Sequence, residues 1–120
     1  MLSKVLVVGG GSAGIRHAIN ARKILPEAEI SLLTSRLDLN FFNQEISILK
    51  DLSEAQAFSP EAVIVACAAN KHVSMGMTFA KLGSHLFLEK PISVPDINAN
   101  ELIEFCRINS LKLMLGYNLR

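Results

Sequence analysis

The sequence predicts an α/β protein built on one doubly wound parallel sheet, a three-layer α/β/α arrangement with helices on both faces. Three observations carry this. Short, β-branched apolar runs alternate along the chain with segments of helical period. The runs are apolar at every position, as in Val5-Leu6-Val7-Val8 and Ala62-Val63-Ile64-Val65, which is what strands covered on both faces require. A glycine-rich turn, Gly9-Gly10-Gly11-Ser12-Ala13-Gly14, joins the first run to the first helical segment.

Val5 to Val8 is the first strand. Ser12 to Leu25 reads as a helix, because Ile15, Ala18, Ile19, Ile24 and Leu25 recur on one face and Pro26 ends the segment. Ile30 to Thr34 is the second strand. From Ser35 to Lys50 the pattern weakens, with Phe41 and Phe42 beside asparagines, and Ile46 to Leu49 is the candidate for a short third strand. Asp51 to Phe58 reads as a short helix that Ser59-Pro60 breaks before the strongest strand, Ala62 to Cys67. A helix over Lys71 to Leu82 carries Val73, Met77 and Ala80 on one face, with Gly83 as its C-terminal cap. Leu86 to Glu89 is the next strand. Pro91 and Pro95 keep the chain extended until Asp96 caps a helix with the stripe Ala99, Leu102, Ile103 and Cys106. Lys112 to Tyr117 is the last strand, and the expected strand order is 3-2-1-4-5-6.

Bulk properties narrow the function classes. With 120 residues the chain suits one domain, residues 1–120, and is too short for two of ordinary size. Half the residues are hydrophobic and 19% are charged, which excludes disorder and points to a doubly covered sheet or an absent partner surface. The 12 basic and 11 acidic residues are scattered, so there is no stripe for a polyanion and nucleic acid is not an expected partner. The apolar stretch Val63 to Ala69 falls far short of the roughly 20 residues that span a bilayer. Cys67 and Cys106 show no metal or redox spacing. Reduced, buried thiols in a soluble cytoplasmic protein without a metal site are the expectation.

Gly9, Gly11 and Gly14 fit G-x-G-x-x-G in the strand-turn-helix context that gives this motif its meaning. The first glycine permits the tight turn, the second lets backbone approach a pyrophosphate, and the third packs helix on strand. The helix start at Ser12 and Ala13 then offers N–H groups and a positive dipole end to phosphate. A dinucleotide-binding, Rossmann-type domain is the reading. An NAD site usually has Asp or Glu at the end of the second strand, where this chain has Thr34, Ser35 and Arg36. A hydroxyl and a guanidinium grip phosphate, so NADP is favoured over NAD, with Asp38 as the ribose ligand if NAD binds. The same glycine run also looks like the opening of FAD-binding flavoproteins, against which the missing acidic residue counts.

Glu89-Lys90-Pro91 follows a strand and precedes a capped helix. It resembles the Glu-Lys-Pro motif of the Gfo/Idh/MocA oxidoreductases, the family of glucose-fructose oxidoreductase and inositol dehydrogenase. Gly14-Ile15-Arg16-His17 is similar to that family's opening of the first helix, Pro60 to Ala66 to its fourth strand, and Gly116 to Arg120 to the end of its cofactor domain. His72 stands where the family has a histidine at the start of a helix. One segment departs: Cys67-Ala68-Ala69-Asn70 replaces the common Thr-Pro turn against the cofactor.

The resemblance implies roles. Lys90 would sit near the nicotinamide and assist proton movement, a task that suits a lysine whose pKa burial lowers. Glu89 would orient Lys90 or border the cofactor, and a cis Pro91 would turn the lysine inward. Cys67, Ala68 and Asn70 would form the turn at the cofactor, and His72 would approach the nicotinamide. His17 and His85 read as packing or surface residues. The implied activity is hydride transfer between NAD(P) and a sugar, polyol or related small molecule. The substrate domain would lie beyond Arg120, leaving this chain able to bind cofactor, nearly inactive alone, and prone to self-association through uncovered apolar surface. The alternative is a non-catalytic dinucleotide-binding sensor or subunit module, which would have no need of a lysine at the nicotinamide.

Overall fold

A computed structural model describes residues 2–39, 41, 45–68, 71–89 and 99–115. In chain order the elements are β1 (Lys4–Val8), α1 (Ser12–Ile24), β2 (Glu29–Leu33), β3 (Ile46–Leu49), α2 (Leu52–Phe58), β4 (Ala62–Val65), α3 (His72–Ala80), β5 (His85–Leu88), α4 (Ala99–Ile108) and β6 (Leu113–Leu115). They form one six-stranded sheet of order β3-β2-β1-β4-β5-β6. Every pairing is parallel. The weakly patterned third strand does form, held by a ladder from Ile30↔Ile46 to Leu33↔Leu49.

Two apolar layers hold the sheet. On one face α2, α3 and α4 bring Ala55, Val73, Phe79, Leu102 and Cys106 against Leu6, Val63, Val65, Leu86 and Leu88. On the other, Ala18 and Ala21 of α1 pack against Val5, Val7, Ile30, Leu32 and Ile46. Small residues on its inner face let α1 lie close to the strands, a geometry in which burial approaches completeness. Gly83 closes α3 as expected: with φ +92° it donates to Ala80 O at 2.9 Å while Ser84 N–H reaches Phe79 O at 3.0 Å, the paired bonds of a Schellman closure.

The structure corrects several boundaries. β4 ends at Val65, two residues early, because Ala66 and Cys67 leave the sheet to pass over Gly9. Asp51 stands outside α2 as its cap, and Leu25, Lys71 and Leu82 flank their helices. Ile24 and Ile103, assigned to apolar stripes, are 74% and 49% exposed. For Ile24 the cause is the sheet itself. A register row runs Leu32, Val7, Ile64, Phe87, Met114; α1 covers its first half, while Met114 is 60% exposed. Ile24 therefore borders an apolar groove with Leu2, Ile64 and Phe87 instead of a second helix. Pro91, Pro95 and Asp96 lie outside the described residues, as does the last strand beyond Leu115. Among the described residues no helix is long and apolar enough to cross a membrane.

Candidate functional site

The turn after β1 is built by close backbone approach. Gly9 has φ +118°, and a Cβ there would lie 2.7 Å from Ala66 O and 2.9 Å from Cys67 N. A side chain would push the turn after β4 away from the turn after β1. At Gly14 a Cβ would fall 1.8 Å from Gly9 O, so the helix rests on the turn it leaves. Gly11 is different: a Cβ there would meet nothing within 4 Å. Its face opens on free space.

Gly11 is also the N-cap of α1, and α1 has neither a side-chain cap nor an acidic residue in its first turn. α2 shows the opposite arrangement. Its Asp51 carboxylate accepts from Glu54 N at 2.9 Å, an N-cap, and Glu54 Oε1 accepts from the N–H of the preceding Lys50 at 2.7 Å. The first-turn N–H groups of α1, at Ser12, Ala13 and Gly14, and its dipole are thus left for an external anion.

That helix start opens on a cleft of about 640 Å³ at the carboxyl ends of the strands, within the range of small-molecule sites. Gly9, Gly10 and Gly11 line it from β1, Thr34 and Ser35 from β2, Lys50 and Asp51 from β3, and Ala66, Cys67 and Ala68 from β4, with Lys71 and Met75 from the α3 side. Arg36 lies across the rim. Its Nη1 donates to Gly10 O at 2.6 Å, and its Nε and Nη2 donate to the two oxygens of Asp38 at 3.0 and 2.8 Å. The guanidinium hydrogen bond holds the Asp38 carboxyl below its ordinary range, and Asp38 in turn raises Arg36. Burial pushes the Cys67 thiol up, so it stays protonated; Cys67 is half-buried and Cys106 fully so, and both are free. Among the described residues there is no metal-ligating cluster.

Of the expected site residues, Gly9, Gly11, Ser35, Cys67 and Ala68 line the cleft, while Ser12, Ala13 and Gly14 follow Gly11 in the first turn of α1 and Arg36 reaches the glycine turn at Gly10 O. His72 does not line it. It is 2% exposed, donating from Nε2 to Cys67 O at 2.7 Å, and so braces the turn after β4 from beneath. Glu89 sits just past β5, its carboxylate accepting from His17 Nε2. Asn70, Lys90 and Pro91 lie outside the described residues. The sequence reading passes over Lys50 and Lys71 at the cleft, although a position just beyond a parallel strand is a usable signal in such sheets. It also misses the partnership of His17 with Glu89.

The sequence profile described as "Oxidoreductase family, NAD-binding Rossmann fold", Gfo/Idh/MocA, matches residues 3–117. Myo-inositol 2-dehydrogenase of Thermotoga maritima is 25% identical over 122 residues, covering 98% of this chain and 36% of that protein. Scyllo-inositol dehydrogenase from Lactobacillus casei, solved with bound NAD(H) and scyllo-inositol, superposes with TM-score 0.81 at 24% identity over 97% of this chain and 36% of its own. A 3-ketoreductase from Actinomadura kijaniata, solved with NADP and TDP-benzene, gives TM-score 0.76 at 22% identity over 95% of this chain and 37% of its own. At these identities the superpositions speak for the fold. The chain spans little more than a third of the length of the relatives it matches.

Proposed function

Because this chain belongs to the Gfo/Idh/MocA oxidoreductases, with their NAD-binding Rossmann fold, we propose that it is the cofactor-binding part of a longer NAD(P)-dependent enzyme acting on a sugar, polyol or similar hydroxylated substrate. The observation that carries this reading is the uncapped start of α1 at Gly11, open to the cleft. The pyrophosphate belongs there, on the N–H groups of Ser12, Ala13 and Gly14. The adenosine end lies toward Ser35 and Arg36, and the nicotinamide end toward Cys67, Ala68 and the carboxyl end of β5, with His72 acting only through the turn it braces.

NADP is the preferred cofactor in this proposal. No carboxylate stands directly after β2, and the Arg36 guanidinium already lies over the glycine turn. Binding a 2′-phosphate requires Arg36 to exchange the Asp38 carboxylate for a phosphate of similar bidentate geometry. Asp38 is the residue that would hold ribose hydroxyls if NAD binds.

The bound nicotinamide supplies the hydride carrier. Lys90 is assigned the proton: as the substrate carbinol is oxidised, its hydroxyl proton passes to the lysine amine, and in reduction the ammonium returns it to the forming alkoxide. Asn70 and Pro91 are assigned to cofactor binding with Lys90. Substrate contacts and the rest of the catalytic set come from chain beyond this domain, and the cytoplasm is the proposed location, in keeping with two free thiols. The test joins this chain to the remainder of a full-length relative and assays polyol oxidation with NADP and NAD. Lys90→Met should lower turnover by roughly 10²- to 10⁴-fold while NADPH still binds. Full turnover by that variant would remove Lys90 from the chemistry.

A further inference from the structure

His17 lies in α1 with its ring edge-on to Phe87 of β5, centroids 5.7 Å apart and planes at 63°. Its Nε2 donates to the carboxylate of Glu89. Both side chains are largely enclosed, at 20% and 15% exposure. Glu89 is fixed a second time by its backbone, whose N–H reaches Val65 O at 3.0 Å. The contact spans 72 residues of sequence and ties the helix that opens the phosphate site directly to the carboxyl end of β5.

In a sheet of order 3-2-1-4-5-6 a dinucleotide crosses from the β2 side, over β1, to the β4 and β5 side. The pair therefore stands at the nicotinamide end, opposite Arg36. We propose that His17 is a positioning residue for that end of the site: by holding the Glu89 carboxylate it fixes the strand terminus from which Lys90 follows. The inference rests on the dinucleotide reading given above. The physical ground is that a charge-assisted hydrogen bond between enclosed groups is among the stronger local restraints. Without its donor a part-buried carboxylate turns to water, and the end of β5 keeps only the backbone bond to Val65 O. A histidine that merely filled space would be replaceable by an apolar residue of like size.

ADP-ribose separates the two ends, since it carries the adenosine and pyrophosphate but no nicotinamide. The 120-residue chain is titrated with NADPH, NADH and ADP-ribose as wild type, His17→Leu and His17→Gln; glutamine puts an amide N–H close to the place of Nε2. His17→Leu should bind both reduced dinucleotides about tenfold more weakly with ADP-ribose unchanged, and His17→Gln should recover most of the loss. Equal weakening of all three ligands, or no weakening of the dinucleotides, makes His17 a packing residue and overturns the proposal. Should His17→Leu unfold, Glu89→Ala removes the other partner and is read by the same two outcomes. A wild-type chain that binds none of the three overturns the dinucleotide reading itself, and this proposal with it.

Discussion

Arg36 and Asp38 show what a residue type announces and what it conceals. A guanidinium after β2 is legible in the sequence as a phosphate ligand, and Asp38 as a ribose ligand. That they bind each other, with Arg36 also on Gly10 O, depends on how the loop after β2 folds over the glycine turn. The pairing lowers the Asp38 pKa. A depressed folded-state value means the pair is complete above the unfolded-state pKa and is lost as pH falls through the folded one. Both groups are exposed, so the contribution to stability is small and screened, and the readout is local. Carboxyl NMR should place the Asp38 midpoint below the ordinary value of about 3.9; Arg36→Ala should return it there and weaken NADPH more than NADH. An ordinary midpoint in the wild type would contradict the pair. The glycines were legible because their motif falls within six positions of sequence, although what Gly9 approaches, Ala66 and Cys67, lies far along the chain. His17 was not: its partner arrives only when β5 takes its place in the sheet.

Elements were read from the sequence in number, type and order, because continuous apolar runs and helical stripes are properties of short windows. Their ends were less legible. β4 reads as six residues because Ala66 and Cys67 are as apolar as the strand before them, yet beyond the Ala66 N–H, which still reaches Val8 O, the chain passes over Gly9. β3 reads weakly, with four residues and one serine, and forms because β2 supplies a ready edge. Helix starts carry the functional contrast. α2 answers its own N-terminus with Asp51 and Glu54, whereas α1 begins Gly11-Ser12-Ala13-Gly14 with no acid in its first turn. The sequence shows both patterns, and their difference already points to the helix that takes the anion.

At the scale of the molecule, the described helices α2, α3 and α4 pack on one face of the sheet, and among the described residues the other face is covered by α1 over β3, β2 and β1. Composition signalled an apolar surplus, half of all residues, and left open a doubly covered sheet or an absent partner surface. Where the surplus lies was not legible, because it follows from the row that ends in Ile64, Phe87 and Met114. Self-association of the isolated chain through that row is the expected outcome; sedimentation should show a mean mass rising with concentration, and a monomer throughout would count against it. The central claim, that the start of α1 is a pyrophosphate site, is tested most directly by titrating NADPH and NADH into the wild type and Gly11→Asp, following nicotinamide fluorescence and thermal stability. The new side chain meets open space and Gly11 has φ −80°, so it caps α1 and raises stability by a few tenths of a kcal/mol while placing a carboxylate where the phosphates belong. Tight binding by the wild type, stronger for NADPH, is expected, with loss of at least about tenfold in a variant that is no less stable. Undiminished binding by Gly11→Asp would contradict it.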